Sequence, residues 1–204
     1  MAIFHKTAKG GIYKDKSYCG GTLISPTHVL TAAHCMMERG GCSEYSVGVG
    51  MHKDDVLDGT RVMIAKISNH PNHHELRCGH DDFDYSILHL ESPVEINNKV
   101  IPACLPNENF GEDFLVGKSL TVSGWGTPKP GVLHKATYPG ASKEDCIRYN
   151  YKPGCDEGEG GITKTMMCAG NPNNRTASHS RGDSGGNLSI EIGDNFKIHF
   201  KHIF

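Results

Sequence analysis

The stretch Cys19-Gly20-Gly21-Thr22-Leu23-Ile24-Ser25-Pro26-Thr27-His28-Val29-Leu30-Thr31-Ala32-Ala33-His34-Cys35 sets the pattern for the whole chain. Two short apolar runs, residues 19–24 and 29–32, flank a polar break that contains proline. Such runs are too short for helical periodicity, and the turn residues between them predict strands joined by tight connections. The alternation continues at residues 45–49, 62–67, 85–90 and 119–122, and it resumes after Pro130 at 166–169, 188–192 and 196–200. Gly193-Asp194-Asn195 between the last two runs predicts a hairpin. With 25 Gly and 10 Pro in 204 residues and almost no long helical pattern, the chain reads as all-β. At this length a β-barrel protein is commonly one unit.

Composition excludes several functions. Net charge is -2 and the Lys and Arg residues are scattered, so no basic face is expected for nucleic acid. No apolar stretch approaches the roughly 18 residues that span a bilayer. The opening Met1-Ala2-Ile3-Phe4-His5-Lys6 lacks the apolar block of a secretion signal. Eight cysteines without a CxxC pair nevertheless suit a disulfide framework of an oxidising compartment better than a metal site. Asn174-Arg175-Thr176 and Asn187-Leu188-Ser189 fit the glycosylation acceptor pattern. Together these features predict an extracellular, secreted protein whose export signal lies outside this sequence.

Three side chains suggest chemistry. A serine hydroxyl is a poor nucleophile at neutral pH, so hydrolysis needs a base to take its proton and a third group to orient that base. His34, Asp84 and Ser184 can supply those roles. Asp84 opens the apolar strand Tyr85-Ser86-Ile87-Leu88, where a partly buried acid could hold an imidazole. Asp81 and Asp82 compete with it, but they precede the strand and read as solvated turn residues. Glycines around Ser184 let the backbone approach a substrate carbonyl. The N–H groups of Gly182 and Ser184 can then form an oxyanion hole, in which one donor is typically worth ~3–4 kcal/mol.

In this order and spacing, seven segments resemble the chymotrypsin-like (trypsin family) serine peptidases. They are Cys19-Gly20-Gly21-Thr22-Leu23-Ile24, Leu30-Thr31-Ala32-Ala33-His34-Cys35, Asp84-Tyr85-Ser86-Ile87-Leu88, Ile101-Pro102-Ala103-Cys104-Leu105-Pro106, Ser123-Gly124-Trp125-Gly126, Met167-Cys168-Ala169-Gly170 and Gly182-Asp183-Ser184-Gly185-Gly186. The resemblance implies two six-stranded Greek-key β-barrels, the second incomplete at the C-terminus, in one peptidase domain over residues 1–204. The first sub-barrel would occupy 1–105 and the second 118–204, with a polar connector between. It further implies His34 as general base, Asp84 as its orienter and Ser184 as the acylated nucleophile. Disulfides Cys19–Cys35 and Cys146–Cys168 follow from the same resemblance. Cys42, Cys78, Cys104 and Cys155 stay unassigned, although the counterpart of Cys104 often bonds to a segment upstream of the catalytic domain. The implied partner is a protein or peptide substrate, with no cofactor, no nucleic acid and no membrane, and the protein is expected to be a monomer.

The chain also departs from the family. No Ile-Val-Gly-Gly-like start precedes Cys19, so the amine that would pair with Asp183 has no counterpart and Asp183 is left without an evident partner. Asn187 stands where a Pro is expected, and the final run is unusually polar. The substrate pocket base would be Ser178 instead of the Asp that selects Arg and Lys, and Ser180 replaces a pocket-bracing Cys. Two readings therefore stay open. One is a secreted serine endopeptidase acting through an acyl-enzyme on Ser184; the other is an inactive homologue or truncated fragment that acts, if at all, by binding.

Other conspicuous residues have ordinary readings. Trp125 reads as a core or loop aromatic, and Asp156-Glu157-Gly158-Glu159 as a solvated acidic loop. His70, His73, His74 and His80 read as plain surface or core histidines. Together with Cys78 they lack the paired, short-spaced arms of a structural zinc site, and imidazole is a poor calcium ligand. No metal is expected.

Overall fold

The protein is described here as a computed structural model covering residues 2–7, 13–36, 42–53, 58–75, 81–106, 112–126, 131–150, 162–170, 182–192 and 195–199. The readings of Cys78, His80, Cys155, residues 156–159, Asn174, Ser178 and Ser180 lie outside the described residues.

Six antiparallel strands close into a barrel. They are β1 (Ala2–Thr7), β2 (Tyr13–Ser25), β3 (His28–Thr31), β4 (Tyr45–Val49), β5 (Thr60–Asn69) and β8 (Ser86–Leu90). Hydrogen bonding runs β1-β2-β3-β8-β5-β4 and returns to β1. Strand side chains alternate between faces, so register decides what is buried. Val29 stands opposite Leu88 and Thr31 opposite Ser86, and all four point inward. Leu23, Val47, Ile64 and Leu90 complete this core. A two-stranded ribbon, β6 (His74–Glu75) with β7 (Asp81–Asp82), lies in the connection from β5 to β8.

The second sheet contains β9 (Ser119–Gly124), β10 (His134–Ala141), β11 (Cys168–Ala169), β12 (Asn187–Ile192) and β13 (Asn195–His199) in the order β11-β10-β9-β12-β13. Its core comes from one face, where Leu120 meets Ile190 and Val122 meets Leu188 across the β9–β12 ladder. The hairpin expected at the end of the chain is present as the β12–β13 pair. A short helix α1 (Glu112–Leu115) precedes β9, and helix α2 (Lys143–Asn150) follows Ser142, whose hydroxyl oxygen accepts the Asp145 N–H at 3.1 Å and so caps an otherwise unpaired donor. The Cys146–Cys168 disulfide ties that helix to β11.

Strands β1 and β10 and helix α2 have no clear signature in the sequence. Pro139 and Gly140 argue against a strand over β10, because proline lacks a ladder donor and glycine packs nothing. Tertiary pairing overrides this. Pro139 sits at the last position facing β9, opposite Ser119, while its carbonyl still accepts the Gly170 N–H at 2.9 Å.

Among the described residues, several contacts join the barrel to the second sheet. Buried Trp125, beyond β9, packs on Met51 and donates its indole N–H to the His52 carbonyl at 3.1 Å. The Tyr85 hydroxyl donates to the Thr165 carbonyl at 3.1 Å. The Gly20 N–H of β2 donates to the Ser184 carbonyl at 2.7 Å. The Ser184 turn therefore lies against β2 and the residues that lead into His34.

Candidate active site

His34 begins a 3-10 turn, His34–Met36, directly beyond β3. Buried Ala32 and Ala33 are small enough to bring that turn into the barrel wall, and the Cys19–Cys35 disulfide ties it to β2. Asp84 reaches it from the far side of the ribbon. Phe83, just before it, is the only non-glycine among the described residues with a left-handed backbone, at φ 49°. Such a conformation costs roughly 1–2 kcal/mol and is held here from both sides. The Phe83 N–H donates to Asp82 Oδ1 at 2.9 Å and the Tyr85 N–H to the Phe83 carbonyl at 2.7 Å.

The turn directs Asp84 inward. Its side chain is 4% exposed, with Oδ1 accepting the His34 backbone N–H at 2.8 Å and Oδ2 lying 2.7 Å from His34 Nδ1. One carboxylate thus fixes the backbone and the ring of the same residue, while the imidazole stays 32% exposed. Burial pulls the His34 pKa down, but the hydrogen bond and charge of Asp84, with Asp81 adding to them, outweigh it and hold the pKa above the ordinary 6.5. Burial, with the charges of Asp84 and Asp82, pushes the Tyr85 phenol up to about 12, so it remains a donor.

Ser184 sits in a turn between Gly182 and Gly185, whose φ angles of 105° and 74° favour glycine. Close backbone approach explains the second role of the glycines. A methyl group on Gly185 would lie 2.8 Å from the Gly20 carbonyl and 2.9 Å from the Ala32 nitrogen, and one on Gly20 would lie 2.9 Å from Gly186 Cα. This seam seats the Ser184 turn against the end of β2 and the start of the His34 turn. Asp183, left without an evident partner by the sequence reading, accepts the Gly126 N–H at 2.8 Å. Its carboxyl group lies against Gly124, where a Cβ would stand 2.8 Å from Asp183 Cγ. The partner is a main-chain group from β9 and its exit, which a search for a charged side chain cannot find.

Two expectations about the ribbon are corrected. Asp82 is not a solvated turn residue: it is buried and accepts the hydroxyls of Thr163, at 2.7 Å, and Thr165. Those bonds and the Phe83 N–H outweigh burial and hold its carboxyl below the usual range. Asp81 is not a solvated turn residue either, because it pairs in β7 and meets His73, a histidine with a buried side chain, as expected. The His73 Nε2 lies 3.1 Å from Asp81 Oδ1 and 3.7 Å from Asp84 Oδ1. The spacing of these residues gave no hint of this, because β6 and β7 must pair before they converge. Asn187, which fits the acceptor pattern, lies at the start of β12. Its Oδ1 accepts the Ser123 hydroxyl at 2.7 Å and its Nδ2 faces Ser189 Oγ at 3.4 Å, so the amide is engaged within the sheet.

Among the described residues, two groups have metal-ligand composition. In Cys19, His34 and Cys35 the sulfurs are bonded to each other. In His34, Asp81 and Asp84 the atoms Nδ1 and Oδ2 are already paired at 2.7 Å, well inside the ~3.3 Å edge of a tetrahedron with ~2.0 Å zinc bonds. Neither arrangement fits a metal as it stands. Cys42 and Cys104 form no disulfide among the described residues.

A closed six-stranded barrel beside a second antiparallel sheet, with a carboxylate-held histidine and a glycine-rich serine turn packed against the strands that lead to it, fits the chymotrypsin-like class of serine peptidase. The chain matches the Trypsin family over residues 5–193 and belongs to that family. It is 32% identical over 193 residues to the clotting factor G beta subunit of Tachypleus tridentatus. That alignment covers 89% of this chain and 60% of the relative.

Proposed function

We propose that this protein is a secreted serine endopeptidase that hydrolyses peptide bonds of a protein substrate through an acyl-enzyme on Ser184. The observation that carries this is the grip of Asp84 on His34, with Oδ2 at 2.7 Å from Nδ1 and Oδ1 on the backbone N–H at 2.8 Å. With Nδ1 carrying the proton held by Asp84, Nε2 is the lone-pair nitrogen and acts as general base. It takes the Ser184 proton as Oγ adds to the scissile carbonyl, then returns it to the departing amine. Water enters by the same route and releases the acid. Developing charge on the substrate oxygen is met by the N–H groups of Gly182 and Ser184, in a turn whose left-handed glycines suit such a concavity.

The cysteine framework supports an extracellular setting, since both bridged pairs need an oxidising compartment to persist. No described helix is long and apolar enough to cross a membrane. The test is labelling of folded protein by a fluorophosphonate beside hydrolysis of a peptide amide. Labelling and turnover that vanish in Ser184→Ala support the reading. Folded protein that neither labels nor cleaves overturns it in favour of a homologue acting by binding.

A further inference from the structure

The catalytic carboxylate has company. One ring nitrogen of His34 and one carboxylate oxygen each of Asp81 and Asp84 lie within 4.8 Å of one another, so a second carboxylate stands beside the histidine and its orienter. Asp81 belongs to β7, opposite Glu75 of β6, on the ribbon that lies between β5 and β8. Its side chain is 21% exposed and would be expected to turn to water, away from a like charge. Instead His73 holds it. The His73 imidazole is 7% exposed, and its Nε2 hydrogen-bonds Asp81 Oδ1 at 3.1 Å while standing 3.7 Å from Asp84 Oδ1.

The main chain fixes His73 in turn, its N–H donating to the His70 carbonyl at 3.0 Å, and the His70 ring stacks on Phe83 with centroids 4.8 Å apart. The clamp and the catalytic turn are therefore packed as one body. The groups around His34 are Asp84 from the turn before β8, Asp81 from β7 and His73 from the turn before β6. Cys35 is disulfide-bonded and does not titrate. On the same ribbon, Asp82 is occupied by Thr163 and Thr165, and His74 donates to the Asn72 carbonyl, away from the cluster.

We propose that Asp81 is a second carboxylate acting on the catalytic base, and that His73 is the clamp that keeps it there. Both work through the His34–Asp84 pair. A negative charge this close favours the imidazolium that forms as Ser184 loses its proton, and it makes His34 retain its own proton to higher pH. The prediction has a sign: without Asp81, His34 titrates lower. This rests on the peptidase reading for its consequence in catalysis, but not for its measurement.

The experiment is an NMR titration of the His34 ring in the full chain carrying Ser184→Ala, which needs no turnover. Asp81→Asn is expected to move the His34 midpoint down by about one pH unit. Asp81→Ser, which removes the charge with a smaller side chain, should move it the same way. His73→Ala releases Asp81 and moves the midpoint part of that distance, and His73→Gln, which can still donate to Asp81, restores it. In protein with Ser184 intact, the acid limb of kcat/KM should shift with the NMR midpoint. A midpoint that stays put or rises in both Asp81 variants overturns the proposal. A rise in His73→Ala overturns the clamp. Downward shifts in a chain without peptidase activity leave this proposal standing and remove only the peptidase reading.

Discussion

The closed barrel and the second sheet solve the same problem with different means. In the barrel each of six strands has two hydrogen-bonded neighbours, and Leu23, Val29, Val47, Ile64 and Leu88 share one enclosed core. The second sheet has five strands among the described residues, and its order ends at β11 and β13. There Leu120, Val122, Leu188 and Ile190 form one inner face, and much of what holds the Ser184 turn is polar or glycine-mediated. The barrel carries His34 and Asp84 on a rigid wall, whereas Ser184 arrives on a turn that must dock. Positioning of His34 by Asp84 is therefore intrinsic to one unit, and positioning of Ser184 depends on the contact between two.

The largest expected effect breaks the barrel's own part of the site. Asp84→Asn keeps the volume but allows the wrong imidazole tautomer, and kcat should fall by about 10⁴-fold, the loss typical of such triads. A fall of less than tenfold would mean that Asp84 does not orient His34. Next is core truncation on each side. Leu88→Ala should lower unfolding free energy by about 4 kcal/mol and Leu188→Ala by about 2–3 kcal/mol, because the open face can relax into the gap. Denaturant melts that reverse this order would show that the second sheet is the stiffer partner.

Docking is tested by the glycine seam and by the Asp82 clasp. Gly185→Ala combines a left-handed backbone with close approach to Gly20 and Ala32, and should cost about 2 kcal/mol. Its loss of activity should exceed its loss of stability, since the seam seats Ser184. Asp82→Ala leaves the Thr163 and Thr165 hydroxyls without their acceptor and should cost about 2 kcal/mol. Equal losses in an isolated first barrel would disprove a role between the two sheets.

The smallest effects are in pH. His34 is held above 6.5 by Asp84 and Asp81 against burial, so the acid limb of kcat/KM should lie above 6.5. In stability the same shift contributes fully below the unfolded value and is lost as pH rises through the folded one. Asp82 behaves oppositely. Its lowered pKa contributes above the unfolded 3.8 and is lost as pH falls through the folded value. Calorimetric melts across both windows, with Asp82→Asn as reference, should show the acid loss reduced in the variant.

Legibility followed the same division. In the barrel, the runs at residues 19–24, 45–49 and 62–67 coincide with or fall inside β2, β4 and β5, because short apolar runs bounded by turn residues record strands that are buried. In the second sheet β10 was hidden by Pro139, and α2 by its short and polar sequence, Lys143–Asn150. Within the site, the His34–Asp84 pair was readable because motif neighbours mark both residues. Asp81 and Asp82 were not, since isolated acids in a polar segment look solvated until a ribbon and a distant turn close over them.

By itself the sequence determined short antiparallel strands, the family, and His34, Asp84 and Ser184 as the candidate site residues, since apolar spacing and glycine-flanked motifs are local properties of the chain. Only the tertiary structure decided where buried charge finds its partners: Asp183 on the Gly126 N–H, Asp82 on Thr163 and Thr165, and Asp81 on His73. The physical reason is that a carboxylate can be satisfied by any donor brought within about 3 Å. Which donor arrives depends on strand pairing and sheet docking, and no local pattern records it.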